Sequence, residues 1–223
     1  MLVIFSTIGL TIYHLLIGFT LYILLVILLK TINAIKTKKL RQSNDQIAAR
    51  RKTIDYCTLP QIAEIITNGD KKVYADFKLL AEDTNLFVDK YKTWCQPFIY
   101  LNDKYSLIFE IFTHWLTGDD TTFTYGAYID YKAETDDIVY FLNKAIEKLD
   151  YPLTLEKTIV DAEHTNIVLS NIDSLFQEKG YRLIDLDTGD DSYCLFIVTN
   201  ENFETLKKLG SPIDFNFGTI TES

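Results

Sequence analysis

The sequence predicts an α+β protein in three parts: an N-terminal single transmembrane helix, a basic arm, and a compact acidic α+β domain with a C-terminal β-hairpin. Residues 2–29 contain no charged side chain. Residues 30–52 carry eight basic side chains and one acidic one, whereas residues 53–223 carry 14 basic and 30 acidic ones, a net charge of −16. In the acidic part, helical apolar spacing alternates with short runs of β-forming residues. The predicted parts are residues 1–29, 30–56 and 57–223.

The uncharged stretch predicts a membrane-spanning helix. As a helix, Leu2 to Leu29 would extend over about 42 Å, more than the roughly 30 Å hydrocarbon core of a bilayer. The basic side chains that follow indicate a cytoplasmic C-terminal side by the positive-inside rule. The expected location is the bacterial inner membrane, single-pass, with the domain in the cytoplasm or, alternatively, in the periplasm. Four side chains are expected to face lipid headgroups: Lys36, Lys38, Lys39 and Arg41.

Six segments of the acidic domain have the apolar spacing of amphipathic helices. Gly118 and Gly180 follow two of them and are expected to end those helices, since glycine favours the position after a helix. Thr135 or Asp136 is expected to cap the fourth, and Asn200 the last. The segments are Leu59–Asn68, Val73–Trp94, Tyr105–Leu116, Asp136–Leu149, Asn166–Lys179 and Asn200–Leu209.

Three further segments are expected to form strands. The first, Phe123–Tyr131, is rich in aromatic and β-branched residues. The other two, Tyr181–Leu186 and Tyr193–Val198, flank the acidic segment 187–192. Two apolar runs on either side of an Asp- and Gly-containing loop are typical of a β-hairpin.

This hairpin contains four clustered carboxylates: Asp185, Asp187, Asp190 and Asp191. Carboxylate clusters can bind Ca²⁺ or Mg²⁺. The calcium loop of EF-hands, however, needs Gly at its sixth place and Glu at its twelfth, and these places hold Asp190 and Phe196 when Asp185 is counted first. We therefore interpret the carboxylates as turn-forming residues and keep a metal site as the alternative.

Sequence motifs for catalysis are not found elsewhere. The chain has no H-E-x-x-H, C-x-x-C or G-x-S-x-G pattern, and its three histidines and three cysteines are scattered. We therefore expect no cofactor and favour a protein that is not an enzyme.

Two stretches resemble a known kind of protein. Residues 128–138, followed by an amphipathic helix, and residues 180–193, with the sequence GYRLIDLDTGDDSY, are similar to a family of small, uncharacterised, acidic bacterial proteins, with Tyr131 in place of the family's usual Trp. Such proteins resemble the immunity partners of contact-delivered or type VI secreted toxins. The resemblance implies binding and supplies no catalytic residue.

The expected function is that of a membrane-anchored protein-binding module, an immunity protein that neutralises a toxin by stoichiometric binding. Its negative charge would attract a basic protein and disfavour nucleic acid. The alternatives are a membrane-tethered metal-dependent hydrolase that uses the four clustered carboxylates, and an accessory subunit of an envelope complex. The expected partner-binding residues are Asp130, Tyr131, Asp187, Asp190, Asp191 and Tyr193.

Overall fold

The chain forms two compact units, Met1–Arg50 and Arg51–Ser223. The structure, a computed structural model, describes residues 29–32, 36–39, 45–118, 124–160 and 162–220. In the first unit the described residues are helical and exposed. The second unit is an α+β domain, as predicted for the acidic part of the chain.

The predicted transmembrane helix is corrected by the structure. Among the described residues, no helix is both long enough and apolar enough to cross a bilayer. The longest, Thr135–Leu149, has 15 residues and one polar face, whereas a span needs roughly 20 apolar residues. Of the predicted span Leu2–Leu29, residues 2–28 lie outside the described residues. The membrane anchor and the inner-membrane location rested on hydropathy and on the basic residues that follow the uncharged stretch, and they are not carried forward.

The predicted headgroup-facing lysines Lys36, Lys38 and Lys39 lie on exposed helical residues, and Arg41 lies outside the described residues. Their contact with lipid stays a sequence-based prediction.

The domain begins with five helices and continues with an alternation of helices and strands. In the described residues the helices are α1 (Leu59–Ile66), α2 (Lys71–Glu82), α3 (Thr84–Lys90), α4 (Lys92–Cys95), α5 (Lys104–Thr117), α6 (Thr135–Leu149), α7 (Lys157–Val160), α8 (Thr165–Glu178) and α9 (Asn200–Gly210). The strands are β1 (Gly126–Asp130), β2 (Tyr181–Leu186), β3 (Ser192–Thr199) and β4 (Phe217–Thr219). Short 3₁₀ turns occupy Gln96–Phe98 and Ser211–Ile213.

The helix predicted over Val73–Trp94 is divided into three. Asp83 leaves the helical conformation, with φ −142° and ψ 86°, and its side chain accepts a hydrogen bond from the backbone N–H of Leu86 at 2.9 Å. A carboxylate in this position caps the start of the next helix. The apolar stripe continues across the break through Phe77, Leu80 and Phe87, all fully buried. For that reason periodicity alone did not reveal the break.

The four described strands form one antiparallel sheet in the order β1–β3–β2–β4. In β3 every residue from 194 to 198 is buried, so buried and exposed side chains do not alternate there. Because successive side chains point to opposite faces, this burial means that both faces of the sheet are covered. On one face Phe196 packs edge-on against Phe112 of α5, with ring centroids 6.2 Å apart.

An ion pair between a buried carboxylate and a partly buried arginine fixes α8 against the sheet. The Asp173 carboxylate, 5% exposed, accepts hydrogen bonds from Nε and Nη2 of Arg182, each at 3.2 Å, and from the backbone N–H of Leu183 at 2.9 Å. Gly180, with φ +86°, makes the tight turn between α8 and β2. These contacts fix the position of β2 relative to α8, and thus the position of the hairpin that follows.

Candidate functional site

The hairpin loop lies against the end of β1. The backbone N–H of Tyr131 donates to the carbonyl oxygen of Asp191 at 3.2 Å. The hydroxyl of Ser192 donates to the Tyr128 hydroxyl oxygen at 2.9 Å. The β1–β3 pairing places Asp130 opposite Ser192. The structure therefore brings the partner-binding residues predicted from β1 and from the hairpin to one end of the sheet.

An acidic cavity of about 600 Å³ opens at this end. Of the predicted partner-binding residues, Asp130 does not line it. Among the described residues that line it, Lys207 of α9 is the one cationic side chain. The hairpin side contributes Tyr131, Asp185, Asp187, Asp190, Asp191 and Tyr193, and the opposite side contributes Lys207, Asn216, Phe217 and Gly218.

The cavity's carboxylates hold the loop in shape. The Asp185 carboxylate, 7% exposed, accepts a hydrogen bond from the backbone N–H of Cys194 at 2.9 Å. Asp187 accepts one from the backbone N–H of Gly189 at 2.9 Å, and Asp190 accepts one from the hydroxyl of Thr188. The contact of Asp187 with the N–H two residues on is that of an Asx turn, in which Asp stabilises a tight loop. The contact of Asp185 instead ties β2 to β3.

Metal binding finds no support in this arrangement. Within the described ranges, no group of three or more His, Cys, Asp or Glu side chains is placed to hold a metal ion. The alternative of a metal-dependent hydrolase built on Asp185, Asp187, Asp190 and Asp191 therefore has no structural observation in its favour.

Two tyrosines at the loop remain hydrogen-bond donors over a wide pH range. Burial, followed by the charge of Asp185, raises the pKa of Tyr193. Burial also raises the pKa of Tyr128, and the Asp190 carboxylate adds to this rise against the opposing hydrogen bond with Ser192. Tyr131 is 45% exposed, so its ring is available for contact.

A second, larger cavity, of about 1020 Å³, lies on the other side of Tyr131 and Tyr193, which line both cavities. Its wall includes the first residues of α6 and α8, Thr135 and Thr165. Neither helix begins with a side-chain cap. The sequence predicted a cap at Thr135 or Asp136, whereas the N-cap residue is Glu134, which makes no capping hydrogen bond.

Sequence reasoning missed the residues that complete both cavities. Lys207 lies on a predicted helix, but its approach to the hairpin depends on the packing of α9. Phe217 belongs to β4, a strand of three residues without a recognisable pattern. No local signal pointed to the second cavity. The helix predicted from Asn166 is preceded by Thr165, a residue that favours the N-cap position, whereas the structure places His164 there.

Comparison with known proteins identifies the family. Residues 58–220 match the family described as a domain of unknown function, DUF6630. No curated protein and no solved structure matches the chain. The predicted resemblance to an uncharacterised family is therefore confirmed, while nothing in the match indicates toxin immunity. The match covers most of the chain and both cavities, and the chain belongs to the DUF6630 family.

Proposed function

We propose that the domain binds a basic segment of a partner protein at its acidic edge and acts by occupying that partner. We define the acidic edge as Asp130, Tyr131, Asp187, Asp190, Asp191 and Tyr193. The observation that supports the proposal is that Tyr131, Asp187, Asp190, Asp191 and Tyr193 line one cavity, in which Lys207 is the one cation among the described lining residues, and that Asp130 lies beside them at the end of β1. Tyrosine is among the residues that contribute most to binding free energy at protein interfaces.

The charge of the domain favours a basic partner. Residues 53–223 have a net charge of −16, and the acidic edge concentrates part of it at one end of the sheet. Complementary charge accelerates the encounter of two proteins and excludes like-charged competitors. The final affinity would come from burial of the tyrosine rings, since exposed charge pairs contribute little.

The narrower proposal is that the partner is a toxin and that the domain confers immunity. It rests on the resemblance of residues 128–138 and 180–193 to a family of small, acidic, uncharacterised bacterial proteins, since proteins of that kind resemble the immunity partners of toxins. A toxin gene adjacent to the gene for this chain would strengthen it, and the toxin would then be the partner to test.

The partner can be sought with a photo-crosslinking amino acid at Tyr131 of the full chain, in native host cells. Tyr140 is the matched control, because it is also an exposed tyrosine, 54% exposed, and lines neither cavity. We expect a discrete crosslinked product from position 131 and none from position 140. Equal products from both positions, or none from position 131, would contradict the proposal.

The identified partner should then be titrated with the full chain. Asn replacements at Asp187, Asp190 and Asp191 keep the turn hydrogen bonds and remove three charges, so we expect them to weaken binding. The control removes three exposed charges elsewhere, by Glu82→Gln, Asp89→Asn and Glu178→Gln, and should have little effect. Saturation near one to one supports binding by occupancy. Chemical alteration of the partner by a small fraction of this protein would show turnover instead.

A further inference from the structure

We infer that the partner segment bound at the acidic edge contains arginine, whose guanidinium group stacks on a row of aromatic rings next to that edge. We define the aromatic row as Tyr128, His114, Phe98 and Trp94. The inference rests on the proposed function, because it names the chemistry of the basic segment proposed there. It also adds a surface outside the acidic edge to the binding site.

The rings of the aromatic row contact one another in order. The Tyr128 and His114 rings are nearly parallel, with an angle of 20° between their planes and centroids 5.9 Å apart. The centroids of His114 and Phe98 are 5.2 Å apart, and so are those of Phe98 and Trp94. Because Tyr128 belongs to β1, His114 to α5 and Trp94 to α4, the aromatic row connects three elements.

Several side chains of this region face solvent. Tyr128 is 38% exposed, and the side chain of His114 is 43% exposed. Ile99 and Tyr100, which follow Phe98 directly in the chain, are 61% and 72% exposed. Single exposed apolar side chains are ordinary, whereas adjoining ones are typical of interaction surfaces. The aromatic row is therefore a candidate for contact with a partner.

The first two rings of the aromatic row lie beside carboxylates. The Tyr128 hydroxyl accepts a hydrogen bond from Ser192 at 2.9 Å and donates to Oδ2 of Asp190, in the acidic edge, at 3.5 Å. The carboxylate of Glu110 lies 3.3 Å from Nε2 of His114. Because each of these two rings has a carboxylate next to it, a cationic group complements the charge of this surface.

The domain's own cations lie over other exposed tyrosines. The ammonium of Lys132 is 4.8 Å from the centre of the Tyr131 ring, and that of Lys144 is 4.4 Å from the centre of the Tyr140 ring. Within the described part of the chain, no Lys or Arg side chain lies over the Tyr128 ring. A partner can therefore place its own cation there.

Arginine fits this surface better than lysine. Its planar guanidinium group can stack on an aromatic ring while its N–H groups pair with a carboxylate, whereas the lysine ammonium is a compact, strongly hydrated charge. A guanidinium group over the Tyr128 ring would lie beside the Asp190 carboxylate. Arginine is also among the residues that contribute most to binding free energy at protein interfaces.

The test compares two blocked hexapeptides of equal charge, one of arginine and one of lysine, which bind to the full chain at the same pH and ionic strength. An extended hexapeptide is about 20 Å long, so it can contact the acidic edge and Tyr128 together. We expect the arginine peptide to bind about two- to fivefold more tightly, the effect of one exposed cation–π contact. It should also shift the backbone amide NMR signals of Tyr128 and Phe98.

Substitutions show whether the aromatic row causes this difference in affinity. Tyr128→Leu should abolish the advantage of the arginine peptide, whereas Tyr128→Phe, which keeps the ring and loses the hydroxyl, should retain it. Tyr140→Leu is the matched control, because Tyr140 is also an exposed tyrosine and Lys144 already lies over its ring. It should leave both affinities unchanged.

The outcomes distinguish this inference from the proposed function. Equal affinities of the two peptides for the wild-type chain, or an arginine advantage that survives Tyr128→Leu, would overturn the inference. If the affinities are equal but fall with Asn at Asp187, Asp190 and Asp191, binding of basic segments at the acidic edge still stands. Failure of both peptides to bind would also overturn the inference, while crosslinking from position 131 tests the proposed function separately.

Discussion

At the scale of single residues, Asp70 joins the helical half of the domain to the sheet. Its side chain caps α2 by accepting hydrogen bonds from the backbone N–H groups of Lys72 at 2.8 Å and Val73 at 3.1 Å. It also accepts one from the hydroxyl of Tyr125, next to β1. Burial raises the pKa of Asp70, but the hydrogen bonds from Tyr125, Val73 and Lys72 outweigh it and lower the pKa below the ordinary 3.8.

We predict that Asp70→Asn lowers the free energy of unfolding at pH 7 by about 1–2 kcal/mol, because a charged acceptor is replaced by a neutral one. Since the pKa is lower in the folded state, the carboxylate's stabilising effect is fully present above 3.8 and is lost as the pH falls through the lowered value. The difference between wild type and variant should therefore shrink in acid. Urea unfolding at pH 7 and at several acidic pH values measures it.

The control for Asp70 is Asp89→Asn, which removes an exposed carboxylate on α3. It should change stability by less than about 0.5 kcal/mol at any of these pH values. A difference for Asp70→Asn that stays constant or grows as the pH falls would show that its charge is not what stabilises the fold.

At the scale of elements, the sequence predicted those with a local signal. Three features were predicted correctly: the helix before Gly118, the turn at Gly180 and the hairpin around Gly189. In each of them the glycine lies where the apolar pattern also indicates the end of a helix or strand. The cap of α9 was predicted at Asn200, but Thr199 provides it by accepting a hydrogen bond from Asn202. The short β4 exists through its pairing with β2, and such pairing is not encoded locally.

The contact between β1 and β3 depends on Gly126. A Cβ atom there would lie 2.3 Å from the carbonyl oxygen of Leu195 and 2.6 Å from the Phe196 ring. We predict that Gly126→Ala destabilises the domain by about 1–3 kcal/mol or more, as overpacking of a core does. Urea unfolding of the full chain measures the loss.

Gly189→Ala is the informative comparison for Gly126→Ala. A Cβ at Gly189 would meet no atom within 4 Å, but φ is +79°, so this substitution should cost about 1–2 kcal/mol through backbone strain. A loss at Gly126 no larger than that at Gly189 would mean that β1 can move away from β3 at little cost.

At the scale of the whole molecule, the acidic edge could be predicted in part. Asp187, Asp190, Asp191 and Tyr193 are neighbours in sequence, so one hairpin brings them together. Tyr131 joins them through the pairing of β1 with β3, which the sequence did not specify. The second cavity is lined by the starts of α6 and α8, which lie about 30 residues apart in sequence, and it could not be predicted from either segment alone.

The excess of negative charge should make stability depend on salt. The chain has a net charge of −9, and like charges repel one another most in the compact state. Salt reduces this repulsion, since the Debye length falls from about 10 Å at 0.1 M to about 3 Å at 1 M. We predict that NaCl raises the melting temperature of the full chain at pH 7. An increase of about 2–4 °C would correspond to roughly 1 kcal/mol for a protein of this size.

The contribution of the hairpin to this salt effect can be isolated. Asn replacements at Asp187, Asp190 and Asp191 remove three neighbouring charges. They should reduce the dependence of the melting temperature on salt more than Glu82→Gln, Asp89→Asn and Glu178→Gln do.

The same Asn variant tests for a metal site. Because Asp187 and Asp190 bind their own loop, CaCl₂ and MgCl₂ should change the melting temperature as NaCl of equal ionic strength does. A divalent ion at 100 times its dissociation constant would add about 2.7 kcal/mol. An increase of that size that is lost in the Asn variant would establish a metal site. For the salt prediction, a melting temperature that falls as NaCl is added would show that favourable ion pairs outweigh the repulsion between like charges.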